Sequence, residues 1–560
     1  MKHLDLSSDT AVLMLALLGL IAYANVTGYP FVHDDFPLVV NNSMVAGPWN
    51  FKAVFLHSLD FGAPTDLVRS YYRPVLDVIN HAVFSLFGAN AAAFHLWNVF
   101  LHILNGWMVF RIVETISFQI RTDAAAARWH AFIVAALFVV HPVQTQAAAC
   151  VSGISNLVFA FFCLSAFLFY LSLRRASQPL APMAGMTAMF VLALLSKEQA
   201  LIFPGLILLY EGSLAIVLPE CKIRLVRVSA SIAALVAVTA LYLIFRIFVV
   251  GAEPFTVDPT AGGFSRFAAM GHILLINAGL LVWPADLHYF RSLDLLSSHW
   301  AANMMSGVIA LGLLGCLKFL PPAGRFLMIF GGGWFLISQL TTIQIIPLFW
   351  EYSHMSLAEH FLYFPSIGMF LMGLGLVTGI VRRRNVIFTS TVIALLAVLI
   401  AATIRQNTAW ASELALFQRS ARFEGHLGRV QQALGDAHLQ RQEYVRGIAA
   451  HIKAVEIMNR YETIAVGEKA KSYYRALGFV SVMAIATAYL TLGDWPSAVA
   501  WLRRAVALDP DHPDVHENLG IAYAESGDAP NARIHLAKAV ELAPDRVDYR
   551  RNLELFLAKQ

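Results

Sequence analysis

The stretch "AVLMLALLGLIAYANVTGYPFVHDD", residues 11–35, decides the class of this chain. Between Asp9 and His33 no side chain is charged, and about 20 apolar residues suffice for a helix to cross a hydrocarbon core. The run is too long for a signal-peptide core and lacks a small-residue cleavage site. It therefore reads as a retained helix whose amino end lies in the cytoplasm. Asp34 and Asp35 then surface together at the far face of a membrane. Their task depends on which other groups reach that face.

Composition supports the membrane reading. Of 560 residues, 58% are hydrophobic and 14% charged, against roughly 25% charged in a soluble globular chain. The charges are unevenly spread, because residues 405–560 hold 19 of the 40 Lys and Arg and 18 of the 36 Asp and Glu. The expected fold is all-α: a polytopic membrane bundle over 1–404, then a soluble helical domain over 405–560. A net charge of +4 gives no case for a nucleic-acid partner. Cys150, Cys163, Cys221 and Cys316 show neither metal-ligand spacing nor a pairing pattern, and read as small apolar side chains.

Further apolar segments follow at 93–117, 129–141, 156–173, 182–195, 200–217, 226–250, 301–319, 325–346, 360–381 and 386–404. Basic clusters flank them at Arg174–Arg175, "KIRLVR" (222–227), Lys318 with Arg325, and "RRR" (382–384). Lys and Arg concentrate on the cytoplasmic side, so all four clusters belong inside. The segment 268–284 must then be re-entrant or interfacial, which leaves about 11 crossings and puts the tail outside. This topology gathers the loops 29–92, 141–155, 196–199, 251–300 and 347–359 on the outer face. Within the long first loop, "RPVLDVINHAVFSLFG" has the periodicity of a surface helix.

The tail repeats. Tyr489, Gly493, Ala498, Leu502, Ala505 and Pro510 recur 34 residues later as Tyr523, Gly527, Ala532, Leu536, Ala539 and Pro544. That period, with small residues where two helices cross, is the tetratricopeptide signature. Copies are read at 479–512 and 513–546, with a degenerate one at 428–461 and an insertion of about half a repeat between. Stacked helix pairs present a concave surface suited to a protein or peptide; a packing or dimerisation platform is the plainer alternative.

The outer loops hold almost every polar residue of chemical interest in the membrane half. A carboxylate pair suits base catalysis, one Asp taking a proton from a hydroxyl while the other orients it. Arg73, Lys197 and Arg291, with His141 or His360, suit a phosphate. A base beside phosphate-holding cations at a lipid interface suggests a lipid-phosphate donor, whose leaving group needs electrostatic stabilisation and no general acid. Each residue also has a plainer reading. The Asp pair could be solvated or cap a turn, Lys197 and Glu198 could form an internal ion pair, His141–Pro142 could end a helix, and Glu359–His360 could anchor an interface. A divalent cation at Asp34–Asp35 is open, but no third ligand stands near in sequence.

The segments "HDDFPLVVNN" (33–42), "YYRPVLDVIN" (71–80), "LFVVHPVQTQA" (137–147), "SKEQALIFPGLILLYE" (196–211) and "AEHFLYFPSIG" (358–368) resemble, in this order, the membrane mannosyltransferases that end in tetratricopeptide repeats. These belong to the GT-C glycosyltransferase superfamily. The resemblance implies transfer of a sugar, typically mannose, from a polyprenyl phosphate to an acceptor hydroxyl with inversion, the acceptor being a protein or peptide engaged through the repeats. It implies a base in the first outer loop, by position Asp34 or Asp35 with Asp34 preferred, and site roles for Arg73 and Lys197–Glu198. The chain departs from the pattern at Gln146, where an acidic residue is usual, at "GISN" (153–156), which lacks an arginine, and at Glu359–His360 in place of Glu-Arg.

Two other classes remain in view. A lipid or glycan transporter places its charges nearer the midplane than these loops do. A non-catalytic scaffold leaves the Asp pair unexplained. Sidedness points to an extracytoplasmic active face with a periplasmic repeat domain, and short loops lean towards a bacterial inner membrane.

Overall fold

The computed structural model describes residues 7–56, 72–120, 122–219, 225–250, 263–294, 298–342, 354–380, 386–465 and 467–559. The "RRR" cluster, most of "KIRLVR" and parts of three outer loops lie outside them. The chain divides into two compact units, Met1–Ser412 and Glu413–Gln560. The break falls past residue 404 because the last apolar helix, Val386–Asn407, continues into a turn, Thr408–Trp410. There the buried Trp410 packs edge-on against Tyr289 at 5.6 Å.

Among its described residues the first unit is helical, with one exception that the all-α expectation did not contain: Ser292–Asp294 pairs antiparallel with His354–Ser356. Among the described residues, eight helices are long and apolar enough to cross a membrane, or nine if the bent pair Ala124–Val140 and Pro142–Ala148 is one span. One of the eight, Ala470–Leu492, belongs to the second unit. About 11 crossings would also require Leu180–Leu194, Pro322–Gln339 and Pro365–Ile380, which have 15, 18 and 16 residues. All three are shorter than the roughly 20 residues that span a hydrocarbon core upright. The segment read as re-entrant or interfacial forms one unbroken helix, Gly263–Val282.

Helix contacts in this unit rest on small residues. Pro322–Gln339 packs against Pro365–Ile380 through facing glycines. A methyl group built on Gly331 would lie 2.6 Å from the Gly368 carbonyl oxygen, and one on Gly324 would lie 2.9 Å from that of Gly375. Such close backbone approach supplies dispersion energy where no hydrophobic force acts between helices in lipid. The first-loop helix is Pro74–Phe87, with Val75, Leu76 and Val83 inward and Leu86 and Phe87 exposed.

The second unit is a series of helix pairs. Trp495–Leu508 follows Glu468–Leu492, and Ala529–Leu542 follows Pro513–Glu525. Gly493 and Gly527 occupy left-handed backbone at φ 71° and 83°, which glycine adopts without strain. Asp494 and Asp528 then cap the following helices by accepting the Ser497 and Asn531 N–H groups. The repeated Ala498, Leu502 and Ala505, and their later counterparts Ala532, Leu536 and Ala539, are all buried. The apparent insertion before residue 479 is taken up by two long helices, Tyr444–Ile464 of 21 residues and Glu468–Leu492 of 25.

Candidate functional site

The first apolar helix, Ser8–Tyr23, ends in a tight turn, Ala24–Gly28. The chain then runs extended to His33, whose φ of 48° is left-handed. A non-glycine residue there is uncommon, and such backbone persists only where its surroundings hold it. A wide helical turn follows over Phe36–Val40, closed by the Asn41 N–H donating to Phe36 O at 2.7 Å. This reversal sends the two aspartates different ways.

Asp35 is fully buried. Its Oδ2 accepts the Val32 N–H at 3.0 Å and its Oδ1 the Ser152 N–H at 2.7 Å. Burial pushes its carboxyl up to about 6, the two backbone bonds oppose this, and Asp34 adds to it. Asp34 is 40% exposed. Its Oδ2 accepts the Tyr289 hydroxyl at 2.6 Å, and Oδ1 lies 3.5 Å from His33 Nε2. Burial, with Asp34 beside it, holds the Tyr289 phenol well above its usual range, so it remains a donor.

Tyr289 belongs to a segment that carries a second cluster. Arg291 Nη2 lies 3.2 Å from Asp286 and 3.6 Å from the buried Glu359, whose Oε1 also accepts the His288 N–H at 2.5 Å. The strand pair aligns the two loops, and Leu357 N–H extends it by donating to Arg291 O at 2.7 Å.

The third cluster surrounds the turn before Glu198–Ile202. Arg73 donates from Nε and Nη2 to Glu198 Oε2 at 3.2 and 3.0 Å. Lys197 is buried, donates to Asn156 Oδ1 at 2.5 Å, and lies over the Phe361 ring at 5.5 Å. Burial, then Arg73, holds its ammonium well below the usual lysine range, with Glu198 opposing. Burial also holds His360 well below the usual imidazole range, helped by the Lys197 and Arg73 charges. The His360 N–H donates to Gln146 Oε1 at 2.9 Å.

Short chain links join the clusters. Ser152 and Asn156 lie one helical turn apart where Ile154–Arg175 begins. Tyr289 and Arg291 share one loop, and Glu359 and His360 are adjacent. The structure thereby brings Asp34, Asp35, Arg73, Lys197, Glu198, Arg291, Glu359 and His360 into one connected region of the first unit.

Two residues read as cations for a phosphate are not cationic. His360 is neutral for the reasons above. His141 accepts the Val143 N–H at Nδ1, 3.2 Å, and so cannot carry a proton there; its Nε2 faces Leu281 O at 3.2 Å. It caps the turn Pro142–Gln144. Among the described residues no group of three or more His, Cys, Asp and Glu could hold a metal ion. A concavity of about 650 Å3 between Thr27–Pro30 and Phe87–Ala92 contains none of these residues.

Sequence reasoning missed Tyr289, Asp286 and the Ser152 N–H. A tyrosine in a long loop carries no pattern, and a backbone donor carries no residue type at all. Asn156 had a signal, since it ends the aberrant "GISN".

A family profile described as a tetratricopeptide repeat matches residues 486–527. A protein O-mannosyl-transferase of Caenorhabditis elegans is 27% identical over 76% of this chain and 60% of its own length. The protein O-mannosyl-transferase TMTC3 of Mus musculus is 22% identical over 92% and 58%. The chain thus spans about three-fifths of the length of these relatives. Among solved structures, the Archaeoglobus fulgidus oligosaccharyltransferase in the apo form aligns at 13% identity over 73% of this chain and 57% of that one, with a TM-score of 0.39. By sequence, the chain resembles the tetratricopeptide-repeat-containing transmembrane O-mannosyltransferases along most of its length.

Proposed function

We propose that the chain is a membrane glycosyltransferase that moves a sugar, in the first instance mannose, from a polyprenyl phosphate to a hydroxyl of a protein acceptor. The observation that carries this reading is the division of labour between the aspartates. Asp35 is consumed by structural hydrogen bonds, whereas Asp34 is half-buried with its side chain open to solvent in part, held by Tyr289, and shares a region with Lys197, Arg73 and Arg291.

Asp34 takes the proton of the acceptor hydroxyl. The acceptor oxygen forms a bond to the anomeric carbon from the face opposite the phosphate, with inversion. The bond from that carbon to the phosphate oxygen breaks, and the phosphate keeps the electron pair. Lys197, itself buried, and the arginines stabilise its charge. Asp35 orients the loop that carries Asp34.

The active face is extracytoplasmic, and the repeat domain is exported with it. The helix Ile154–Arg175 supports this reading. It starts at the site beside Asn156 and ends at Arg174–Arg175 after 22 residues, about 33 Å along its axis, close to a hydrocarbon thickness of ~30 Å. Basic residues mark the cytoplasmic end. The repeats serve as the acceptor-docking surface.

The test is mass spectrometry of extracytoplasmic proteins from cells lacking this protein and complemented with wild type or Asp34→Asn. Hexose on Ser or Thr that returns with wild type but not with the variant supports the proposal. Glycopeptides unchanged by loss of the protein would overturn it.

A further inference from the structure

Lys197 is a buried amine whose hydrogen-bond partner is neutral. Among the described residues its ammonium has one hydrogen-bond acceptor, the Asn156 amide oxygen. The adjacent Glu198 carboxylate accepts both Arg73 donors at one oxygen, Oε2, while its buried Oε1 has no hydrogen-bond partner among the described residues and makes none to Lys197. Asn156 is itself fixed, its Nδ2 donating to Gly153 O at 3.1 Å where the helix begins, so its oxygen is aimed at Lys197 without freedom to turn away. Phe361 covers Lys197 with a ring face, and the neighbouring His360 adds no negative charge. Among the described residues, the titratable and charged groups around Lys197 are Arg73, Glu198 and His360, with Arg246 and Tyr242 beyond them against the Arg73–Glu198 pair.

We infer that Asn156 is a positioning residue that holds Lys197 without a hydrogen-bonded carboxylate, so that the donor phosphate supplies that charge and lipid-phosphate binding draws a proton onto Lys197. An aspartate at 156 would neutralise the ammonium permanently and repel the phosphate. An amide holds the same nitrogen in place and leaves its charge to the ligand. Burial without a carboxylate disfavours the ammonium in the empty site; an anionic oxygen within hydrogen-bond reach restores it. The inference rests on the donor chemistry proposed above and adds a proton balance: one proton is taken up on binding and released when the phosphate product leaves.

The measurement is isothermal titration calorimetry of the full-length protein in detergent with polyprenyl-phosphomannose. This phosphodiester keeps a single negative charge through the neutral range. Titrations in buffers of different ionisation enthalpy count the protons exchanged. Wild type should take up about one proton and lose affinity about tenfold per pH unit on the alkaline side. Asn156→Asp should bind more weakly at neutral pH, with no proton uptake and a flat pH profile. Lys197→Gln should also bind without uptake, which guards against misfolding of the first variant. Donor binding by wild type without proton uptake overturns this inference and leaves the glycosyltransferase reading standing. Failure of wild type to bind the donor at all overturns both.

Discussion

Replacing Asp35 with Asn tests whether its carboxylate is structural, in contrast to the catalytic role proposed for Asp34. In the folded chain Asp35 is pushed up to about 6 from an ordinary 3.8, chiefly by burial. Below the unfolded value both states hold the proton, and the group leaves stability unaffected. Between 3.8 and about 6 the unfolded chain ionises while the folded carboxyl keeps its proton, so stability falls as pH rises. The fall levels off above the folded value. A difference of about two pH units corresponds to ~3 kcal/mol. Asparagine removes this dependence but accepts only one of the two N–H groups that Asp35 serves. The other, from Val32 or Ser152, is orphaned at a cost of about 1–3 kcal/mol. Asp35→Asn should therefore be less stable than wild type in acid, with the gap shrinking as pH rises through that window. Fluorescence-monitored thermal unfolding of the full-length protein in detergent, in parallel for the two proteins, reads the gap directly. Asp77, also pushed up to about 6 by burial, is common to both and cancels. A gap that stays constant with pH would refute the claim that Asp35 is a desolvated carboxylate held by backbone donors.

Asp34→Asn should lower the turnover of sugar transfer about 10²–10⁴-fold while leaving the thermal midpoint unchanged, measured on the same purified protein. Tyr289→Phe removes the 2.6 Å hydrogen bond to Asp34. A bond to a charged group contributes about 1.5–3 kcal/mol, so transfer should fall about tenfold or more with insertion and abundance unaltered. Gly368→Ala places a methyl 2.5 Å from Gly331 O and Phe335 N, so the helices must part at a cost of about 1–3 kcal/mol and the thermal midpoint should drop. Gly373→Ala, which meets nothing within 4 Å, serves as its control.

Much of the architecture was legible before any coordinates. Apolar runs and a 34-residue period are one-dimensional signals, and each reflects a local requirement: backbone hydrogen bonding in lipid, or small residues where helices cross. The number of crossings was less legible, because an apolar run of 15 residues such as Leu180–Leu194 reads alike whether it spans a bilayer or is buried within a bundle. The short strand pair escaped notice because three-residue strands carry too little pattern.

Within the site, residue types alone marked Asp34, Asp35, Arg73, Lys197, Glu198, Arg291, Glu359 and His360 as charged or polar groups on one set of loops. Local sequence also placed the acidic pair at the end of the first helix and the tetratricopeptide units in the tail. Tertiary structure decided the rest. It buried Asp35 and left Asp34 half-buried, assigned Glu198 to Arg73 and left Asn156 to Lys197, and turned His141 into a cap. Charge state and hydrogen-bond partnership depend on which distant segments pack around a group and how much water they exclude, and these are properties of the folded neighbourhood that no stretch of chain carries by itself.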